Sequence, residues 1–342
     1  MSQETAPGLR EGERLKPVRA LPMDHDMSDA SPRIAVLGSF MQACCWRVER
    51  LPRRGETLQA AAFSSEPAGK GLSVAVGCHR LGAAVDLILA VGNDAPADSL
   101  LLQLQQEGLH QRYVHRLAMP SGHGAGFIDA AGDNQIVVHG GANAALSPRE
   151  VAGAEPAIAA ASLVYAQWEI PPHTVRFTLE MARSRGATTV LNPSPWQSVP
   201  PGFLDCADVL VVNENEAQCL LQAGLSDESH ARSREIAAAL PALWRNWPGR
   251  WLVVTLGAQG SLACHRDGTM HLAPPVAIEP VKTIGAGDAF SAGLCLALGR
   301  GEPMTAALRM GNVCAALSIA RPGILSSLPR REELDAWLKP AA

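Results

Sequence analysis

The sequence predicts an α/β protein with a mostly parallel central sheet, on three observations. From Ile34 onward, short apolar runs alternate with longer stretches of helical spacing, the pattern of strand–helix–strand units. Most of the apolar runs end in Gly, Asn or Thr, and open α/β sheets take their ligands in the crevice beyond the carboxyl ends of their strands. Two stretches break the alternation, at residues 45–66 and 123–139. The second reads as a hairpin around the turn "AAGDN". Together they form either a small antiparallel lid over the strand ends or a surface hairpin without function.

Taken in order, the strands are expected at residues 34–38 (IAVLG), 85–92 (VDLILAVG), 162–168 (SLVYAQW), 187–192 (ATTVLN), 208–213 (DVLVVN) and 251–257 (WLVVTLG). Helices are expected at 71–81, 98–107, 172–185, 215–223, 288–298 and 304–320. A length of 342 residues allows one large domain or two smaller ones. The first thirty residues are rich in charge, Pro and Ser, lack the apolar centre of a signal peptide, and are expected to form a disordered tail over 1–30. Met27 is a candidate start for the natural chain.

Apolar residues make up 47% of the chain but aromatics only 4%, which suits helix-on-sheet packing and offers no base-stacking array. With a net charge of −4 there is no electrostatic footprint for nucleic acid or anionic lipid. The eight cysteines contain no CxxC pair and no repeated spacing, so neither a zinc site nor a disulfide framework is indicated. No apolar run approaches the roughly 20 residues of a membrane span. A soluble, cytoplasmic protein is expected.

The segment carrying the clearest chemistry is "KTIGAGDAFSAG". Gly285 and Gly287 let the backbone approach a ligand, and the helix that follows turns its free N–H groups towards that spot. Asp288 in the first turn is placed to accept a proton from a hydroxyl that attacks a phosphoryl group. A plain capping Asp is the alternative, set aside because the helix is apolar on nearly every face and therefore buried. "VTLGAQGS" puts Thr255, Gly257 and Gly260 at a strand end, either as a phosphate-holding turn or as an ordinary tight turn. In "VVNENEAQ", Asn213 and Glu216 have the spacing of a capping box, and a carboxylate there also suits water-mediated contact with Mg²⁺. "PAGKGLSVAVG" is a second glycine loop before a helix, without the spacing of a P-loop.

In this order the segments resemble the PfkB carbohydrate-kinase family, and its ribokinase branch in particular, over about residues 33–338. The resemblance rests on "VLGSF", "LPRRGET", "AGKGLSVAVGCHRLGA", "VGND", "GDNQIVVHGGANAALSP", "QWEIP", "NPSPW", "NENEA", "VTLGAQG", "KTIGAGDAFSAG" and "GNVCAALSIARPG". It implies a ribokinase-like three-layer α/β/α sandwich over 31–342, with a small β lid from about 41–66 and 121–140. It also implies transfer of the ATP γ-phosphate to a hydroxymethyl group of a sugar or sugar-like molecule. By the same resemblance Asp288 is the base, and Gly285, Ala286 and Gly287 form the anion hole. Asn213, Glu216, Thr255, Gly257, Gly260 and Asn312 lie on the nucleotide side, with Mg²⁺ held through ATP and water near Glu216. Gly69, Lys70 and Glu169 lie on the sugar side, and a homodimer through the lid is a further implication.

Three departures qualify the acceptor. Met41 and Ala43 stand where ribokinases carry an Asn and an Asp that hold sugar hydroxyls, and Ser73 replaces the Asn after the glycine loop. Such a site points to a less hydroxylated acceptor, such as a deoxy sugar acid or a nucleoside. A non-catalytic descendant that only binds ligand is the alternative from another class. The resemblance places a monovalent-cation loop at Lys282, Ile284, Ser318, Arg321, Gly323 and Ser327. Lys282 stands there in place of an Asp, so its ammonium either replaces the cation or is an exposed charge with no such role.

Overall fold

The computed structural model describes residues 31–130, 134–198, 200 and 202–339; the tail expected over 1–30 lies outside the described residues. The chain begins with β1 (Arg33–Leu37), β2 (Met41–Arg47), β3 (Ala62–Ala68), α1 (Lys70–Arg80), β4 (Ala84–Val91), α2 (Ala95–Glu107) and β5 (Tyr113–Arg116). It continues through β6 (Gly122–Ile128), β7 (Asn134–His139), α3 (Ala142–Ala145), α4 (Pro148–Ala152), α5 (Glu155–Ala160), β8 (Leu163–Gln167), α6 (Pro172–Ser184) and β9 (Thr188–Asn192). The last part holds β10 (Val209–Asn213), α7 (Glu214–Leu221), α8 (Ser229–Asn246), β11 (Trp251–Thr255), β12 (Ser261–His265), β13 (Met270–Ala273), α9 (Ala286–Gly299), α10 (Met304–Ile319) and α11 (Arg331–Leu338).

Nine strands form the main sheet in the order β13-β12-β11-β10-β9-β8-β1-β4-β5. From β11 to β5 every pair is parallel, whereas β12 and β13 join as antiparallel edge strands. The alternation along β1 shows why the sheet is covered on both faces. Ile34 and Val36 pack with α1, α2, α9 and α10, while Ala35 and Leu37 pack with α5, α6 and α7 on the other side. All four side chains are fully buried. A strand with no solvent face needs apolar residues at successive positions, hence the unbroken run. The result is the three-layer α/β/α sandwich.

The chain order runs outward from β1 in one direction and from β8 in the other, so a topological switch point lies between these two neighbours. Crevices at such points sit beyond the strand ends. Eight further strands and helices the sequence pattern did not single out complete the domain: β5, β12, β13, α3, α4, α5, α8 and α11. Among them α8 contains Pro241, a residue that argues against helix when read locally.

β2, β3, β6 and β7 form a separate four-stranded sheet in the order β3-β2-β6-β7. The hairpin expected at 123–139 is present as antiparallel β6 and β7, although residues 131–133 of its turn lie outside the described residues. An all-antiparallel arrangement is corrected at the centre, where β2 and β6 pair in parallel. The reason is topological: β2 follows β1 and β6 follows β5, and both leave the carboxyl ends of parallel strands in the same sense. No helix among the described residues is long and apolar enough to cross a membrane.

α9 and α10 are the most closely packed helices, and α9 starts at the site discussed below. A Cβ on Gly293 of α9 would lie 2.7 Å from the Met310 carbonyl oxygen and 2.9 Å from Cys314 Sγ. The α10 backbone cannot retreat from it without opening the core. Gly293→Ala is therefore expected to destabilise the fold by about 1–3 kcal/mol, the usual cost of overpacking. A shift of the urea midpoint checks this, and an unchanged midpoint rejects the close-packing account.

Candidate active site

The switch point is bridged by side chains from both of its strands. Ser39, just beyond β1, donates from Oγ to Glu169 Oε2 at 2.5 Å, and Glu169 lies just beyond β8. The same carboxylate oxygen accepts the backbone N–H of Lys70 at 2.9 Å, at the start of α1. A carboxylate at a helix N-terminus suits the helix dipole. Gly69 makes the approach possible: its φ is +132°, and a Cβ there would sit 2.2 Å from the Ser39 carbonyl oxygen. Phe40 is clamped from the other side by Asn143, which accepts its N–H at 2.9 Å and donates to its carbonyl at 2.6 Å.

Opposite this bridge, α9 opens on Gly285, whose φ of +86° reverses the chain into the helix. Ala286 N–H turns back to the Thr283 carbonyl at 3.3 Å, so it contributes less freely to an anion hole than the sequence suggested. The N–H groups of Gly287 and Asp288 belong to the first turn, where a helix has no internal partners for them. The Asp288 carboxyl retains a solvent opening through the cleft but is ringed by protein. Loss of bulk solvation raises its pKa to about 6; the Lys70 ammonium opposes that rise and the Glu169 charge adds to it. Lys70 is enclosed as well. Burial alone would lower its pKa, but Asp288, Glu169 and Glu216 together outweigh this and hold it above the ordinary lysine value. Four sequence-predicted residues, Lys70, Glu169, Glu216 and Asp288, thus share one electrostatic environment.

Asn213 and Glu216 form the capping box at the start of α7: Asn213 Oδ1 accepts the Glu216 N–H at 2.9 Å, and Glu216 Oε2 accepts the Asn213 N–H at 2.9 Å. Glu216 is buried, and the box engages its Oε2 only. Thr255 ends β11, and Gly257 and Gly260 bound the short 3₁₀ turn into β12. Asn312 on α10 is buried, with its amide donated to the carbonyls of Ala273 and Pro274 at 3.2 and 2.9 Å. It fixes the exit of β13, a structural task.

Met41 begins β2 and is buried, facing Ala68 and Gly122 across the small sheet, and Ala43 is half-buried two residues on. Ser73 is buried in the first turn of α1, and its hydroxyl has no hydrogen-bond partner among the described residues. Of the cation-loop residues, Lys282 Nζ donates to the Ile284 carbonyl at 3.0 Å and to Ser327 Oγ at 2.8 Å, and Ser318 pairs with Ser327 at 3.1 Å. Arg321 instead turns to Glu333 on α11 at 2.9 Å, and Gly323 takes the left-handed conformation of the intervening turn.

Sequence reasoning missed Ser39, Asn143, Glu66 and Tyr165. Ser39 and Asn143 were visible inside the motifs "VLGSF" and "GGANAALSP", but nothing local distinguishes a hydroxyl that orients a carboxylate from one facing water. Tyr165 is fully buried on β8, on the face that meets α9, and its hydroxyl lies beside Ser291 without a well-formed hydrogen bond.

The arrangement supplies an amide-lined turn, a carboxylate able to take a proton and an ammonium between them, which is the equipment of phosphoryl transfer to an alcohol. Comparison with known proteins agrees. The family model described as pfkB family carbohydrate kinase matches residues 31–331. The ribokinase of Bacillus subtilis is 32% identical over 306 residues, covering 89% of this chain and 99% of that protein. The deoxyribokinase of Salmonella typhimurium is 30% identical over 307 residues, covering 89% and 98%. The structure of Arabidopsis thaliana ribokinase complexed with ribose and ATP superposes with a TM-score of 0.83 at 25% identity, covering 91% of this chain and all of that one. With its fold, its site and these relatives in agreement, the chain belongs to the pfkB family of carbohydrate kinases.

Proposed function

We propose that the protein transfers the γ-phosphoryl group of ATP to the hydroxymethyl group of a pentose-like acceptor carrying fewer hydroxyls than ribose. The observation that supports this most directly is the Asp288 carboxyl, ringed by protein at the mouth of the amide-lined turn and within the field of Lys70. The Asp288 carboxylate takes the proton of the acceptor hydroxyl, its oxygen forms the new bond to the γ-phosphorus, and the bond to the β-phosphate oxygen breaks to release ADP. The main-chain donors of Gly287 and Asp288, with Gly285 and Ala286 shaping the turn, receive the charge on the moving group. Asn213, Thr255, Gly257, Gly260 and Glu216 line the nucleotide side. Glu216 suits Mg²⁺, because a buried carboxylate with one oxygen outside its capping box can orient water around the ion. Bound there, Mg²⁺ would neutralise phosphate charge. Gly69, Lys70 and Glu169 hold the acceptor, and the small sheet closes over it as a lid that excludes water. The need for ATP and eight cysteines as free thiols suit a cytoplasmic setting.

The sign of the pH dependence follows from the Asp288 shift. Its folded pKa, about 6, lies above the ordinary 3.8, so the protonated form stabilises the fold, and that contribution is lost as pH rises through about 6. Catalysis needs the ionised form. Turnover is expected to rise with pH to a plateau above about 6, and Asp288→Asn is expected to lose on the order of 10²-fold or more in kcat. A coupled ADP assay at pH 8 reads the turnover, and a thermal melt at the same pH should show the variant no less stable than the parent. Parent-like turnover by the variant rejects the role, and turnover by the parent itself excludes the non-catalytic reading.

The acceptor assignment rests on Met41 and Ala43, which present no hydrogen-bonding groups where a hydroxyl-rich sugar needs them. Relatives named ribokinase and deoxyribokinase stand at similar identity, so the family alone does not choose. Deoxyribose is expected to exceed ribose in kcat/KM by about 10-fold, with Met41→Asn narrowing the gap, as one lost polar contact is worth about 1–3 kcal/mol. A preference for ribose that Met41→Asn leaves untouched overturns the assignment.

The small sheet also supports a homodimer. Trp46 stacks on Phe127 at 5.5 Å and meets Phe63 at 5.1 Å on one face. The cross-strand pairing places Val137 on that same face, and Phe63 and Val137 are 59% and 71% exposed, more than a monomer usually leaves in one patch. Light scattering is expected to give twice the chain mass, falling to the monomer in Phe63→Glu/Val137→Glu. A monomeric parent protein refutes the dimer.

A further inference from the structure

Glu66 has no part in the proton transfer just described, yet it joins the small sheet to the turn that opens α9. It lies near the end of β3, three residues before Gly69, and its Oε2 accepts the backbone N–H of Ile324 at 2.7 Å. Gly323 lets the chain make the turn that presents this N–H: its φ is +86°, and a Cβ there would lie 2.0 Å from Ser326 Oγ. Ile324 returns its carbonyl to Ser327 Oγ at 2.9 Å, and that hydroxyl accepts from Lys282 Nζ at 2.8 Å. Lys282 then donates to the Ile284 carbonyl at 3.0 Å, and its Nζ lies 3.6 Å from where a Gly285 Cβ would be. Through the Ile324 backbone, hydrogen bonds thus connect a strand of the small sheet to Ile284, the residue just before the turn that opens at Gly285.

Charge runs along the same path. Burial pulls the Lys282 pKa below the ordinary lysine value, and the carboxylates of Glu66 and then Asp288 act against that pull. A half-buried ammonium gains from a counter-charge, and Glu66 is the leading one.

We infer that Glu66 is a positioning residue for phosphoryl transfer: through Ile324 and Ser327 it seats the Lys282 ammonium against the turn at Gly285, which ties the turn to the small sheet. Lys282 thereby supplies, from the chain itself, the positive charge that holds this turn. The inference rests on phosphoryl transfer at Asp288, and turnover by the parent protein establishes that separately.

Four variants test it. Glu66→Gln keeps an acceptor for Ile324 but removes the charge, and Glu66→Ala removes both. Glu66→Ala is expected to lower kcat by about 3- to 30-fold with KM for ATP changed by less than about twofold, the range of coupling through a connected network. Glu66→Gln should fall between it and the parent. Lys282→Met vacates two oxygen ligands close to the Glu66 carboxylate, so potassium or ammonium chloride should restore part of its lost kcat. The Glu66→Gln/Lys282→Met double variant should gain nothing from either salt, and the parent should be indifferent to potassium. Parent-like kcat in Glu66→Ala overturns the inference, as does equal rescue of the single and double Lys282 variants, or a several-fold rise of parent activity on potassium. Should Lys282→Met fail to fold, the kcat of the two Glu66 variants decides alone.

Discussion

The cleft is organised around one enclosed ammonium. Lys70 sits among Asp288, Glu169 and Glu216, and each of the three carboxylates draws on it. Removing that charge would leave three carboxylates repelling one another, with the Lys282 ammonium still opposing the Asp288 charge. Burial raises the Asp288 pKa while Lys70 restrains it, and the balance leaves a carboxyl near 6. That is a useful value for a base: ionised at neutral pH, yet far more basic than a carboxylate in water. The surrounding architecture places these groups where they meet. Ser39 and the start of α1 hold Glu169 in place, the capping box of α7 holds Glu216, and the α9–α10 packing fixes the helix that carries Asp288.

How much of this could be read from the sequence depended on whether the cause was local. The apolar runs at 34–38 and 208–213 could only be strands of a sheet covered on both sides, and they are β1 and β10. Asp288 was visible because glycines on one side and an apolar helix on the other leave few alternatives for a carboxylate between them. The parallel pairing of β2 with β6 was not visible, because strand direction follows from the crossovers that precede each strand and not from the strand itself. α8 was hidden by Pro241, which tertiary packing tolerates within the helix. Glu66 lies on a polar strand whose earlier residues are exposed, and only the return of the chain at Ile324, 258 residues later, gives it a role.

The two halves of the cleft recognise their ligands by different means. On the donor side the contacts are main-chain amides at helix starts and glycine turns, and such groups read the geometry of a phosphate whatever side chains surround them. On the acceptor side the groups assigned by the proposal are side chains: Met41, Ala43, Ser73, Lys70 and Glu169. A change of one side chain alters hydrogen bonding to an acceptor hydroxyl but leaves an amide turn untouched. The kinase chemistry is therefore firmly legible from the resemblance, while the acceptor has to be argued from individual residues.

The same distinction explains the Lys282 region. A turn built from main-chain carbonyls needs a positive charge to hold them, and either a bound ion or a tethered ammonium can supply it. The ammonium comes with the chain and does not exchange with solvent, but its carbon stem must be buried and its charge balanced locally. Ser327 and the Ile284 carbonyl satisfy its hydrogen-bonding capacity only in part, and Arg321 adds a repulsive charge. Glu66 supplies the balance from a different sheet. A lysine at this position is thus not a simple exchange of one side chain: it requires a carboxylate across the cleft edge, and the small sheet is the element close enough to provide it.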